Sequence, residues 1–316
     1  MTEQELHELR RQRWRLDGRA VRTPEEAREF LESVGFCLMY PLTPQQAQDG
    51  GLSTPAGKGL LAPTFIGAYV GGDERLPTWQ HAFADPRAKE ATELVVHLLR
   101  ERSAYEANLF GETNLLVAAS MFPFFYAVVG DRNPRQAPKA GVRSEYSPLA
   151  QDAFEAIRKQ GPISKKRLRE VLGGDPSGAA LDRALGELWS RLRITRVDYK
   201  PKEGAFWDAL YRWSPEPVRE GINLSVGEAL SAMLSKYLEA VVAADSAEVE
   251  EFFSHFVPRS RVKEATNALL ATREFSFVHG GKRPLIQVTP ARTVPAPRPE
   301  RSASRTVAAR PGPRRA

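Results

Sequence analysis

The order of breakers and apolar stripes between Tyr146 and Trp213 constrains the fold more than any other feature of this chain. Ser147–Gln160 reads as a helix with Leu149, Phe154 and Ile157 inward, closed by Gly161-Pro162. Ser164 is placed to cap a second helix, Lys165–Leu172, which stops at Gly173-Gly174. Pro176–Leu192 then sets Leu181, Ala184, Leu185, Leu188 and Leu192 on one stripe of a third helix. Two β-rich runs follow, Ile194–Tyr199 and Ala205–Trp213, joined by Lys200-Pro201-Lys202-Glu203-Gly204. Three helices and a hairpin with a basic tip are the order of a winged helix-turn-helix. The pattern repeats more weakly: helices over Ser225–Ala243, Ala247–Phe256 and Ser260–Thr272, then Phe275–His279 and Leu285–Val288 across Gly280-Gly281-Lys282-Arg283.

The first part of the chain is mixed. Thr23-Pro24-Glu25-Glu26 has a capping residue, a proline suited to the first helical position and the glutamate of a capping box; Leu31 and Val34 continue the apolar face and Gly35 ends it. Phe36–Leu42 is expected as a short buried strand or extended segment, and 43–76 as loop with little regular structure. A helix is expected from Asp85-Pro86 to Arg102, with Ala91, Leu94, Val95, Leu98 and Leu99 on one face, and Leu115–Val129 is a buried strand or short helix interrupted by Pro123. Asp131–Ser144 reads as a linker. The expectation is a mainly α protein with small β-hairpins (α+β), divided into 1–143, a winged module at 144–214, a second winged-helix-like module at 215–289 and a disordered Arg/Pro-rich tail at 290–316.

Charge is distributed unevenly. Residues 290–316 carry seven arginines against Glu300, which accounts for the whole net charge of +6, so the remaining body is neutral. Within that body, 158–202 hold twelve Lys/Arg against five Asp/Glu. Lys165, Lys166, Arg167 and Arg169 open the second helix of the middle module, where side chains and backbone N–H groups meet phosphate oxygens. Ser177 and Arg183 belong to the outward side of the third helix, Arg191, Arg193 and Arg196 follow it, and Lys200 and Lys202 tip the hairpin. This set points to double-stranded DNA, with Arg183 alone placed to reach a base edge and hence little sequence preference. Trp189, Trp207, Tyr211 and Trp213 are read as core and hairpin support, and Phe122, Phe124, Phe125 and Tyr126 as core.

Several chemistries are excluded. A lone cysteine, Cys37, permits no internal disulfide and no multi-cysteine metal site, which fits a reducing compartment. His7, His81, His97, His255 and His279 lack ligand spacing, so neither a metal nor another cofactor is expected. Gly57-Lys58-Gly59 resembles the end of a phosphate loop, but Leu52 replaces the required glycine and Gly59 the Ser/Thr that would hold magnesium. No apolar run approaches the roughly 18 residues of a membrane helix, and no apolar segment follows the early arginines as a secretory signal requires.

Glu29-Phe30-Leu31-Glu32-Ser33-Val34-Gly35-Phe36 followed by an apolar strand resembles the approach to the catalytic segment of AlkZ/YcaQ-type DNA glycosylases. Leu116-Val117-Ala118-Ala119-Ser120-Met121-Phe122-Pro123 resembles their Ala-Ala-Ser-Leu-Leu-Pro segment, and the winged helix ending at Leu210-Tyr211 matches their arrangement. The resemblance, over about 23–290, implies tandem winged helices and excision of alkylated or crosslinked bases by a Gln-aliphatic-Gln or Gln-aliphatic-Asp triplet that positions and activates water. The matching register here is Leu38-Met39-Tyr40. Leucine makes no hydrogen bond to water, and a tyrosine of ordinary pKa is a poor general base. Gln46-Ala47-Gln48 has the right letters eight residues late. The family's C-terminal barrel is reduced to the 275–288 hairpin.

The expected function is therefore that of a bacterial, cytoplasmic and nucleoid-associated DNA-binding protein of glycosylase type without the ordinary catalytic pair, acting in damage recognition, repair or regulation. An active glycosylase with a relocated acid/base, Glu112 with Asn114, is the first alternative, and a protein-interaction scaffold the second.

Overall fold

The computed structural model describes residues 1–42, 48, 60–72, 74–111, 113–141, 144–174, 176–280 and 283–290. The Arg-rich tail, Gly57-Lys58-Gly59, Gln46 with Ala47, and Glu112 fall outside the described residues. The described residues are mainly helical, with three small antiparallel sheets.

Helix α1 (Glu3–Arg13) opens with a capping box of Thr2 and Glu5. Helix α2 (Pro24–Val34) has the expected box of Thr23 and Glu26 with Pro24 at its start, and it ends at Gly35 with φ +76°. That turn feeds β1 (Phe36–Leu38), which pairs with β3 (Leu115–Ala118) in the register Phe36 opposite Val117; β3 also pairs with β2 (Ala104–Ala107), giving the order β1-β3-β2. One face of this sheet meets α2 and α4 (Pro86–Glu101), where Phe30, Leu31, Val95, Leu98 and Leu99 are buried. The other face meets α5 (Phe122–Val129).

Residues 43–76, expected as loop, contain α3 (Phe65–Val70), capped by Thr64. Six residues are too few to show helical periodicity, and the helix exists because Phe65, Ile66 and Ala68 are buried against α2 and α4. A 3₁₀ helix at Trp79–Ala84 leads into α4.

The middle of the chain runs α6 (Pro148–Gln160), β4 (Ile163–Ser164), α7 (Lys165–Leu172), α8 (Gly178–Trp189), β5 (Ile194–Lys200) and β6 (Gly204–Ala209), with sheet order β4-β6-β5. Ser147, Ser164 and Ser177 each cap the helix that follows. Phe154, Ile157, Leu168, Leu181, Leu185, Leu188 and Trp207 form the interior, and the Trp189 ring meets Trp207 edge-on at 4.9 Å. The expected second β-run stops at Ala209; Leu210–Trp213 is instead a helical turn, α9, which buries Leu210 and Trp213.

Helices α10 (Pro215–Asn223), α11 (Val226–Val241), α12 (Ser246–Phe253) and α13 (Arg259–Ala271) and the hairpin β7 (Phe275–Gly280) and β8 (Arg283–Val288) complete the fold. This part shares its core with the first sheet. The Phe36 ring packs on Phe125 at 5.0 Å and Phe252 at 5.6 Å, and the buried Tyr237 hydroxyl donates to the Leu61 carbonyl at 2.7 Å. Arg10 and Trp14 dock the first helix onto the end of α11: Arg10 Nε donates to Val241 O at 2.9 Å and Trp14 Nε1 to Ala240 O at 2.8 Å, satisfying carbonyls that a helix end leaves unpaired. No helix among the described residues is long and apolar enough to cross a membrane.

Gly35 has the positive φ and the close packing that exclude a side chain, because a Cβ there would run into Lys236. Gly35→Ala is expected to lower stability by about 1–2 kcal/mol, read as a lower urea midpoint at unchanged slope.

Candidate functional site

The strand end that carries the resemblance is held by backbone bonds. The Leu38 N–H donates to Pro63 O at 3.0 Å, Met39 N–H to Asn114 O at 2.8 Å, and Tyr40 N–H to Thr113 Oγ1 at 3.0 Å. Leu38 and Met39 are buried. Tyr40 alone of the three lines a cleft of about 550 Å³, walled by Phe83, Thr92 and Val96 on one side and by Tyr199 and Pro201 of the β5–β6 hairpin on the other. Burial pushes the Tyr40 phenol above its ordinary value, aided by the nearby Glu106 and Asp85 carboxylates and opposed by Thr92 and Arg196. The group is a protonated donor at neutral pH and does not act as a base there.

Behind Tyr40 stands a polar cluster that sequence reading missed. Glu106 on β2 is 1% exposed, and Arg196 on β5 grips it with two hydrogen bonds, Nε to Oε2 at 2.7 Å and Nη2 to Oε1. Asn114 Nδ2 donates to Oε1 at 2.6 Å, and Trp189 Nε1 donates to the Glu106 carbonyl at 2.8 Å. The Arg196 guanidinium also lies over the Trp189 ring at 5.8 Å. A buried carboxylate demands such partners, and this one ties the first sheet to the middle hairpin. The available signal was a lone charge within the apolar run Ala104-Tyr105-Glu106-Ala107. Asn114 lies here as a partner of Glu106, whereas Glu112 lies outside the described residues.

The cations expected to form one face are sorted into distinct environments. Arg193 is 4% exposed: it pairs with Asp131, donates to Gln136 O and packs against the Tyr146 and Phe154 rings. Arg193 and Arg196 are thus turned inward, a correction to their placement on an outer face, because Asp131 and the buried Glu106 each recruit a guanidinium. Lys165 pairs with Asp182 at 2.5 Å, Arg167 with Glu170 at 2.8 Å, Lys200 with Glu203 at 3.8 Å, and Arg191 with Glu145. Ser177 is a helix cap, accepting from Ala180 N at 3.2 Å. Lys166, Arg183 and Lys202 are exposed and form no ion pair among the described residues. Lys165, Lys166 and Arg169 line a groove of about 750 Å³ between α7, α8 and the hairpin tip, together with Glu170, Asp182 and Glu203. No cluster of metal-ligating side chains occurs among the described residues.

The family model for AlkZ-like DNA glycosylases matches residues 72–309. The chain belongs to the AlkZ-like DNA glycosylase family. The matched segment begins beyond β1 and so does not include the Leu38–Tyr40 register. Among solved structures, the DNA glycosylase AlkZ of Streptomyces sahachiroi is similar with a TM-score of 0.55 at 12% identity, over 92% of this chain and 70% of that one. No curated protein sequence gives a significant match. Membership of the AlkZ-like family ties the chain to DNA repair, and the similarity to AlkZ agrees with the mixed, mainly helical fold.

Two outcomes follow from the cluster. Arg196→Ala leaves the Glu106 carboxylate buried without its cation and is expected to cost about 3 kcal/mol, whereas Glu106→Gln with Arg196→Ala together cost less than the sum of the two single changes, as read by a double-mutant cycle in urea. The raised Tyr40 pKa means that the unfolded chain loses this proton first as pH climbs past about 10. Stability therefore falls with rising pH, and Tyr40→Phe is expected to flatten that fall relative to the parent.

Proposed function

We propose that this AlkZ-like family member binds duplex DNA through its middle module, acting as a winged helix-turn-helix, and recognises rather than excises its target. The observation that carries the reading is the content of the triplet register. Leu38 and Met39 are buried apolar side chains, and the one of the three that faces the cleft is a phenol held protonated. Neither the carboxamide nor the carboxylate that would orient and activate water stands at those positions. DNA contact is supported by the exposed Lys166, Arg183 and Lys202 and by the serine-capped starts of α7 and α8, whose N–H groups suit phosphate. The ion pairs of Lys165, Arg167, Lys200 and Arg191 are surface pairs, worth little in water and exchangeable for phosphate. Work at the bacterial nucleoid, in damage recognition or regulation, follows from this reading.

Binding to a duplex at about 50 mM salt is expected, weakening steeply as salt rises. The triple change Lys166→Ala, Arg183→Ala and Lys202→Ala is expected to flatten the slope of log K against log salt by about one per cation removed. A wild-type protein that ignores duplex DNA at that salt overturns the reading.

One observation favours a second reading, an active glycosylase: Glu93 is a carboxylate lining the same cleft as Tyr40. Glu106 is a weaker candidate, since Arg196 and Asn114 already occupy its oxygens. Incubation with alkylated or crosslinked oligonucleotides and scoring of abasic sites separates the two. No abasic sites are expected; turnover by the parent that is lost in Glu93→Gln would establish excision instead.

A further inference from the structure

Among the described residues, five large hydrophobic side chains are exposed, and two of them, Phe83 and Tyr199, line one cleft. Trp79 (51% exposed) and Phe83 (93%) stand on the 3₁₀ helix before α4, and Tyr199 (42%) lies on the middle hairpin across the cleft from Phe83. Phe83 and Tyr199 line the cleft over Tyr40, while Trp79 lines a separate cleft of about 810 Å³. Aromatic rings left this open have no packing role to account for them. Their surroundings are close to neutral: Arg100 pairs with Asp198, Arg87 with Glu74 and Asp85, and the remaining rim charges are Arg75, Lys89 and Glu93. Attraction for a continuous run of phosphates is therefore modest there, and the flat faces of rings are the main offering. Tyr199 also directly precedes Lys200 and Lys202 at the hairpin tip, so the aromatic surface continues the face assigned above to the duplex.

We propose that Phe83 and Tyr199 form a stacking platform for the unpaired strand of a nucleic acid whose duplex part lies on the middle module. The proposal rests on the duplex-binding reading and adds a preferred ligand to it, a junction between paired and unpaired DNA. Base–aromatic stacking is tolerant of sequence and strong enough to set such a preference without a cationic channel. The platform draws on two parts of the fold, which the Glu106–Arg196 pair and the Arg100–Asp198 pair hold together.

Three probes test it: a blunt duplex, the same duplex with an oligo(dT) extension, and the same duplex with an extension of abasic nucleotides. The dT-tailed duplex is expected to bind about 10-fold tighter than the other two, which bind alike. Phe83→Ala with Tyr199→Ala is expected to abolish the preference while leaving blunt-duplex affinity unchanged, and Tyr199→Phe to retain it. Equal affinity for the dT and abasic tails, or a preference that survives the double alanine change, overturns the platform alone. Absence of binding to all three probes removes the duplex reading with it.

Discussion

A single carboxylate organises the centre of this molecule. Glu106 is buried between the first sheet and the middle module, and a carboxylate in that position is tolerable only with its oxygens fully bonded. Arg196 comes from β5 and Asn114 from the start of β3, while Trp189 at the end of α8 binds the carbonyl of the same residue. These bonds set the middle hairpin at a fixed attitude to the first sheet. The cleft over Tyr40 exists because of that attitude, since one of its walls belongs to each part.

The strand end at Leu38–Tyr40 is fixed by its backbone as well as by burial. At the triplet register the backbone bonds of Leu38, Met39 and Tyr40 are made to Pro63, Asn114 and Thr113, and none depends on the side chains of the three residues. Leu38 and Met39 also bury their side chains in the two cores, so burial and backbone bonds together hold this segment in place. Tyr40 fills the cleft-facing position with a ring and a hydroxyl, a group suited to contact.

Local signals carried the middle module into view. The serine caps, the Gly-Gly stop after Leu172 and the leucine stripe of α8 each act within a turn or two of helix, so they read directly from the order of residues. Signals that depend on a distant partner did not read. Helix α1 buries only Leu6 from its own span and is docked by Arg10 and Trp14 onto α11, more than two hundred residues away. Helix α3 is six residues long, and Leu210–Trp213 follows a strand with the same apolar character, so neither declares its type by periodicity. Among the basic residues of 158–202, Arg193 and Arg196 look no different in sequence from Arg183; only their acids, Asp131 and Glu106, set them apart.

The sequence by itself determined the mainly helical character and the three-helices-and-hairpin order of the middle segment, because each is written in neighbouring residues. The tertiary structure decided which cations face solvent, which ring opens into the cleft, and that Phe83 and Tyr199 meet at that cleft. Those outcomes rest on burial and charge pairing between segments tens to hundreds of residues apart, where desolvation, which no local pattern records, selects the partner.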